Sequence, residues 1–298
     1  MRILFMGSRP MSVQALELLV QTTGASADRE LAVVTTSDDS PPGSVVRWWP
    51  SGALRMAAEA RGLTILDTAP AIAAYAPDLI ISVFHNDILP RAVIDGARFG
   101  AVNLHFGYLP TIHYRPDKGS PRKATGDPWS RGTYRGSNVL SHCVLGQEEW
   151  HAITLHYMST RIDLGPVIAH GWNPLTELTT AWDLQLAGER TGRALLAHWL
   201  PALVNDPQAV PTTAAGTGRY RYFNRAALAH LKELPAALPH DQVKLRARAM
   251  AFPGTEPPYF LEGQSGLARR HVTFSRVRGV EVHPATDKPF LTTLSHLG

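Results

Sequence analysis

Short β-branched apolar runs alternate with stretches of helical periodicity over the first 104 residues. That alternation is what most restricts the fold. Ile3–Met6 is an apolar run halted at Gly7-Ser8, the pattern of a buried strand ending in a tight turn. Val13, Leu16, Leu19 and Val20 then recur at helical spacing. Residues 31–36 read as a second strand, 37–50 as a polar loop, and Leu54–Ala60 as an Ala-rich helix stopped by Gly62. Leu63–Leu66, Leu79–Phe84 and Ala101–Leu104 complete the series of strands. Strands separated by helices cannot pair as hairpins, so the pattern predicts an α/β fold. It is a Rossmann-like, mostly parallel sheet with helices on both faces. In such sheets ligands bind beyond the carboxyl ends of the strands. No Gly-x-Gly-x-x-Gly follows the first strand, so a nicotinamide dinucleotide is not indicated.

From Ile112 to Thr133 the text turns rich in Arg, Lys, Gly, Pro and Asp and loses periodicity, as a long loop does. A strand over Ile153–Met158 follows. A long helix over Trp182–Val204 comes next, with Leu184, Leu195, Leu196 and Trp199 as core positions. Near Asp206 the composition shifts, and 211–218 reads as a linker. The expected division is a catalytic domain over 1–205, with a loop insertion at 111–133, and a small C-terminal α+β module over 206–298. In that module Phe223–Leu234 and His240–Ala249 read as helices, and Tyr259–Leu261 and Val272–Phe274 as strands.

Composition narrows the function classes. Hydrophobic residues are 44% and charged residues 18% of the chain, which suits a packed core. The net charge of +4 suits anionic ligands without calling for nucleic acid. A single cysteine, Cys143, excludes an internal disulfide and fits a reducing compartment. The text around it marks it as a buried small hydrophobe. No run approaches the length of a membrane span, so a cytoplasmic protein without a membrane partner is expected. Thirteen histidines raise the question of a metal, and His105, His113, His142, His151 and His156 lie close together in sequence. The spacings of metal-binding motifs are missing, so no metal is expected. His142 and His156, on apolar segments, read as core histidines.

Asn103 and His105 stand two apart at a strand end, so their side chains share a face. An Asn amide can donate to a developing oxyanion, and a His can donate to it or accept a proton. A nearby carboxylate orients such a His. That is the equipment of acyl transfer to an amine, although Asn-x-His alone is weak.

The surrounding text resembles the formyltetrahydrofolate-dependent formyltransferase family over most of the chain. Arg2–Ser8 resembles its opening strand and turn, and Ala76–Ser82 the strand before its folate loop. Asp87-Ile88-Leu89-Pro90 resembles the end of that loop. Gly100–His105 with Tyr108-Leu109-Pro110 resembles the catalytic strand. Tyr134-Arg135-Gly136-Ser137-Asn138, Gly146-Gln147-Glu148, and Ile153–Met158 leading to Ile162–Ile168 follow in the family's order. The resemblance implies catalytic roles for Asn103, His105 and Asp163. It implies that N10-formyltetrahydrofolate, as co-substrate, is held by Phe84, His85, Asn86, Ile88, Leu89, Ile162 and Asp163. Tyr108, Arg115, Arg135 and Asn138 are expected to meet the acceptor. The implied reaction is attack of an amine on the formyl carbon. Asn103 and His105 stabilise the oxyanion, His105 helps move the proton, and Asp163 orients His105.

Three departures stand out. Gly107 replaces a usual Ser, Leu164 a frequent Thr, and residues 111–133 interrupt text that relatives run together. Setting aside these 23 residues shortens the Asn103-to-Asp163 separation from 60 to 37 residues, near the usual spacing. The segment reads either as a solvated loop or as a lid whose His113, Arg115, Lys118, Arg122 and Lys123 meet an anionic acceptor. Trp48, Trp49 and Trp129 could stack on a base or pack on the domain. The acceptor expected first is the amine of a nucleotide-linked amino sugar, because Val243–Gly254 with Pro258-Tyr259-Phe260 resembles the small C-terminal unit of sugar N-formyltransferases. Another natural-product or amino-acid amine is the next choice, and initiator tRNA the third. A folate-binding module without catalysis is the non-enzyme alternative, and a homodimer is left open.

Overall fold

The structure is a computed structural model that describes residues 1–24, 28–35, 52–85, 87–110, 134–216, 221–253, 255–262 and 268–284. The first part of the chain forms β1 (Arg2–Gly7), α1 (Pro10–Thr23), β2 (Glu30–Thr35), α2 (Ala53–Glu59), β3 (Thr64–Ile65) and α3 (Ala69–Tyr75). Next come β4 (Leu79–Val83), α4 (Arg91–Gly96), β5 (Ala101–His105), β6 (Tyr134–Gly136), α5 (Val139–Leu145), β7 (Trp150–Tyr157), β8 (Val167–Pro174) and α6 (Ala181–Asn205). The remainder forms β9 (Arg221–Phe223), α7 (Ala229–Lys232), α8 (His240–Ala249), β10 (Tyr259–Glu262), β11 (Ala268–Ser275) and β12 (Gly279–Pro284).

Seven strands make the main sheet in the order β3-β2-β1-β4-β5-β7-β8. β1 through β5 run parallel, β7 returns antiparallel to β5, and β8 is antiparallel to β7. Alternation splits each strand between two cores. Ile3, Phe5, Val33, Leu79, Ile81, Val102 and Leu104 join Leu16, Leu19, Leu54, Leu196 and Leu200 of α1, α2 and α6. Leu4, Met6, Ala32, Ile80 and Ala101 pack instead with Ile72 of α3 and Val93 of α4. Burial on both faces explains why these strands read as continuous apolar runs. The long helix α6 starts at a capping box: Thr180 Oγ1 accepts from Asp183 N at 3.1 Å and Asp183 Oδ2 accepts from Thr180 N at 2.8 Å.

The fold class matches the sequence expectation. Three helices, α3, α4 and α5, went unread, each six or seven residues long and so showing under two turns of any period. Phe223–Leu234, expected as one helix, instead ends β9, makes a 3-10 turn over Arg225–Leu228 and then forms α7. Phe223 is held extended because β9 pairs with β6, and its ring stacks on His142 at 3.5 Å between centroids. The C-terminal strands form a three-stranded antiparallel sheet, β10-β11-β12. Helix α8 faces two ways. Val243 and Ala247 pack with Val272 and Phe274, while Leu245 and Ala249 pack with Val139, Cys143 and Leu184. Residues before β9 also meet the main sheet, through the Val167–Thr213 bridge and a 2.8 Å bond from Gly216 N to Pro110 O.

Candidate active site

β5 carries Asn103 and His105 on one face, and the register of β7 places His156 opposite Asn103 and Thr154 opposite His105. Four polar side chains thus share one patch at the end of β5. Their alternation with Ile153 and Leu155, which face the apolar core, explains how a strand this hydrophobic can present them. After β7 the chain doubles back. Tyr157 N donates to Pro166 O at 2.8 Å, and Gly165 lies so close that a Cβ there would sit 1.7 Å from Tyr157 O. This tight return brings Asp163 over the patch.

Asp163 Oδ1 lies 3.5 Å from His105 Nδ1 and 3.9 Å from His156 Nε2, and Oδ2 accepts from Gly136 N at 3.0 Å. The side chains of His105 and Asp163 are each 9% exposed, so their attraction is little screened by water. Gly136 is required here: its φ is +85°, and a Cβ would come within 2.3 Å of Phe223 O. The residues that sequence reading assigned to catalysis therefore converge, and β6 contributes a backbone donor that it missed.

The stretch after His105 is fastened from beneath. Thr154 Oγ1 donates to Gly107 O at 2.6 Å and accepts from Leu109 N at 3.2 Å. His151 Nε2 meets Phe106 O at 3.1 Å and His170 Nε2 meets Leu109 O at 2.7 Å; carbonyl partners require both histidines to donate there. Burial drives the His151 pKa down to about 4 against the pull of its carbonyl bond, and lowers that of His170. Tyr108 packs against the rings of His170 and Trp172, at 5.3 and 5.2 Å between centroids.

Three of the candidate residues, Phe84, Asn138 and Asp163, have left-handed backbones, with φ of 55°, 58° and 54°. Such conformations cost energy in residues other than Gly and collect where function requires them. At Phe84 the turn is held from the β1–α1 turn and from α1: Ser8 Oγ donates to Phe84 O at 2.5 Å and Ser12 Oγ to Val83 O at 2.6 Å. The Phe84 ring packs on Phe106 at 4.2 Å, and Arg9 Cζ stands 5.0 Å above it. His85 keeps a side chain only 4% exposed, and burial lowers its pKa. Ile88 is 78% exposed, while Leu89 packs, as does Met158, on the Leu4–Ile80 core, so the two flanking loops rest on the same base. Ile162 is 41% exposed, and its carbonyl accepts from Arg135 Nη1 at 3.0 Å. Asn138 opens α5. Asn86, Arg115 and the whole of 111–133 lie outside the described residues, as do Trp48 and Trp49. That segment leaves the chain at Pro110 and rejoins it at Tyr134, two residues before Gly136.

His156 is the functional candidate that the sequence reading passed over as a core histidine. It is buried at 1% exposure, yet its Nε2 lies 3.3 Å from Asn103 Nδ2 and its Nδ1 2.8 Å from Tyr157 O. The alternation Ile153-Thr154-Leu155-His156 carried a signal, since it places both polar residues on one face. Burial, and then the charge of His105, hold His156 below the ordinary histidine pKa, against the opposing pull of Asp163. Among the described residues no cluster of three His, Cys, Asp or Glu is arranged to hold a metal, and no helix is long and apolar enough to cross a membrane.

No protein-family model matches the chain. A methionyl-tRNA formyltransferase of Halorhodospira halophila is 31% identical over 219 residues, 70% of this chain and 62% of the relative. The chain thus spans about three-fifths of that relative's length. A sugar N-formyltransferase from Shewanella sp FDAARGOS_354 superposes with a TM-score of 0.67 at 16% identity, covering 92% of this chain and 97% of that one. The N-formyltransferase from Helicobacter canadensis, solved with folinic acid and dTDP-3-aminofucose, superposes with a TM-score of 0.61 at 18% identity, covering 84% of this chain and 80% of that one. At such identities the two structures establish a shared fold.

Proposed function

This chain belongs to the formyltransferase family, and on that premise we propose that it moves the formyl group of N10-formyltetrahydrofolate onto a primary amine, foremost that of a nucleotide-linked amino sugar. The observation that carries the reading is the convergence of Asn103, His105 and Asp163 on one patch, with the Asp163 carboxylate fixed by Gly136 N. The donor supplies the one-carbon unit. Phe84, His85, Ile88, Leu89, Ile162 and Asp163 are the described residues that would hold it. The exposed apolar side chains of Ile88 and Ile162 suit a planar heterocycle, and neutral His85 adds no charge against it.

The roles follow from the geometry. Asn103 presents amide N–H groups, which can donate to the reacting carbonyl oxygen as negative charge develops there. His105 has Nδ1 turned to Asp163, which directs its Nε2 away from the carboxylate and toward the reactants. Asp163 holds that ring orientation and stabilises positive charge on it, so His105 can take up the proton that the attacking amine must lose and pass it to N10 as the bond from the formyl carbon to N10 breaks and tetrahydrofolate leaves. Tyr108, Arg135 and Asn138 are the residues proposed to meet the acceptor; Arg135 is held against the loop that carries Asp163 through Ile162 O, and a guanidinium suits the anionic part of a nucleotide acceptor.

The sugar acceptor is favoured by the resemblance of Val243–Gly254 and Pro258-Tyr259-Phe260, which lie in α8, β10 and the chain between them, to the small unit of sugar N-formyltransferases. The curated relative at 31% identity favours a second reading, methionyl-tRNA. A panel of nucleotide-linked amino sugars and charged initiator tRNA, assayed for tetrahydrofolate release and product mass, separates the two. Formylated sugar with no formylated tRNA is expected. Transfer to tRNA alone would replace the first reading with the second, and transfer to no amine would remove both.

A further inference from the structure

We infer that His156 is a positioning residue that sets the orientation of the Asn103 side-chain amide. The inference rests on the reading of Asn103 as the group that meets the reacting carbonyl. Tyr157 O can only accept, so the 2.8 Å contact requires a proton on His156 Nδ1. With burial keeping the ring neutral, Nε2 carries a bare lone pair. That lone pair needs a donor, and the atom 3.3 Å away is Asn103 Nδ2, which fixes which way round the amide lies. One amide hydrogen is taken up by the imidazole, and the second is left for a ligand. In the flipped amide two acceptors, Oδ1 and Nε2, would face each other in a buried place, which is costly.

The same tautomer protects a second relationship. Nε2 stands 3.9 Å from Asp163 Oδ1, beyond hydrogen-bond reach, while His105 Nδ1 stands at 3.5 Å. A hydrogen on Nε2 would repel the Asn103 amide and draw the carboxylate off His105. His156 therefore acts through its neighbours: the backbone of its own strand fixes its tautomer, the tautomer fixes the amide, and the amide faces the site. Nothing in this chain of contacts needs His156 to touch a substrate.

Two variants and one spectrum test it. His156→Phe keeps the ring volume and removes the acceptor. His156→Gln restores an acceptor oxygen at similar reach. In ¹⁵N-labelled protein at neutral pH, long-range nitrogen–proton correlations should show His156 protonated on Nδ1 and bare on Nε2. The Asn103 side-chain NH2 pair should carry one hydrogen-bonded proton that H156F loses and H156Q regains. In turnover, H156F should lower kcat by about a hundredfold, the low end of what loss of one aligned oxyanion donor costs, with KM for the acceptor little changed. H156Q should recover most of that loss. An Nε2–H tautomer, an Asn103 NH2 pair indifferent to both substitutions, or H156Q falling as far as H156F would overturn the inference. Wild-type protein that turns over no amine would instead overturn the functional reading and leave the tautomer and the amide signal to decide this one.

Discussion

His105 and Asp163, 58 residues apart in sequence, meet at 3.5 Å between Nδ1 and Oδ1 in a place where each side chain is 9% exposed. The contact depends on the tight return after β7 and on β6, whose Gly136 N holds the other carboxylate oxygen. Removing the carboxylate charge leaves the ring without its orienting partner. Asp163→Asn should therefore cut kcat by about a hundredfold or more, the scale of lost general acid–base assistance, while the protein stays folded. Retention of near-wild-type kcat would deny Asp163 its role.

Thr154 joins the two sides of the loop after His105, since its hydroxyl both donates to Gly107 O and accepts from Leu109 N. Thr154→Val keeps the shape and leaves two buried backbone groups unsatisfied. Urea unfolding should show a loss of about 1–3 kcal/mol, accompanied by lower kcat as the loop loosens. A variant as stable and active as wild type would mean that the loop is held by other contacts.

Much of this arrangement could be read in the sequence, and the parts that could not have a common cause. β1, β2, β4 and β5 announce themselves because both faces are buried, and α6 because seven turns give its period room to show. Asn103, His105 and Asp163 were legible through motif order. Their supports were not, because His156, Thr154 and Gly136 matter through cross-strand register and close backbone approach. A single sequence carries neither. The short helices α3 to α5 and the strand pairing of Phe223 were hidden for the same reason: tertiary partners stabilise them, and local propensity contributes little.

The α1 side of the site yields a separable effect. Ser12 Oγ holds Val83 O at 2.6 Å, directly before the left-handed Phe84. Ser12→Ala should free that turn. Because Phe84 belongs to the proposed donor-binding loop, KM for the formyl donor should rise several-fold with kcat nearly unchanged. A fall in kcat at constant KM would place the turn in the chemistry instead.

Acid should destabilise the fold through its buried histidines. An unfolded histidine titrates near its ordinary value, 6.5, whereas His151 in the folded protein titrates at about 4. Between those values the unfolded chain binds a proton that the folded chain does not. Stability is therefore whole above pH 6.5 and falls as pH drops toward 4, by roughly 3 kcal/mol from His151 alone. His85, His156 and His170 shift in the same direction. Urea midpoints across pH 7 to 4 should decline steeply, and His151→Leu should flatten the curve. Stability independent of pH over that range would contradict the buried neutral state.

Asn103 and His105, at the end of β5, are the groups proposed to carry out amine formylation. Single-turnover release of tetrahydrofolate, with enzyme in excess over N10-formyltetrahydrofolate and a saturating nucleotide-linked amino sugar, tests it most directly. Wild-type protein should transfer the formyl group, and His105→Ala should be slower by about a hundredfold or more while binding the donor with unchanged affinity. A His105→Ala protein that transfers the formyl group at the wild-type rate would show that His105 has no part in the transfer.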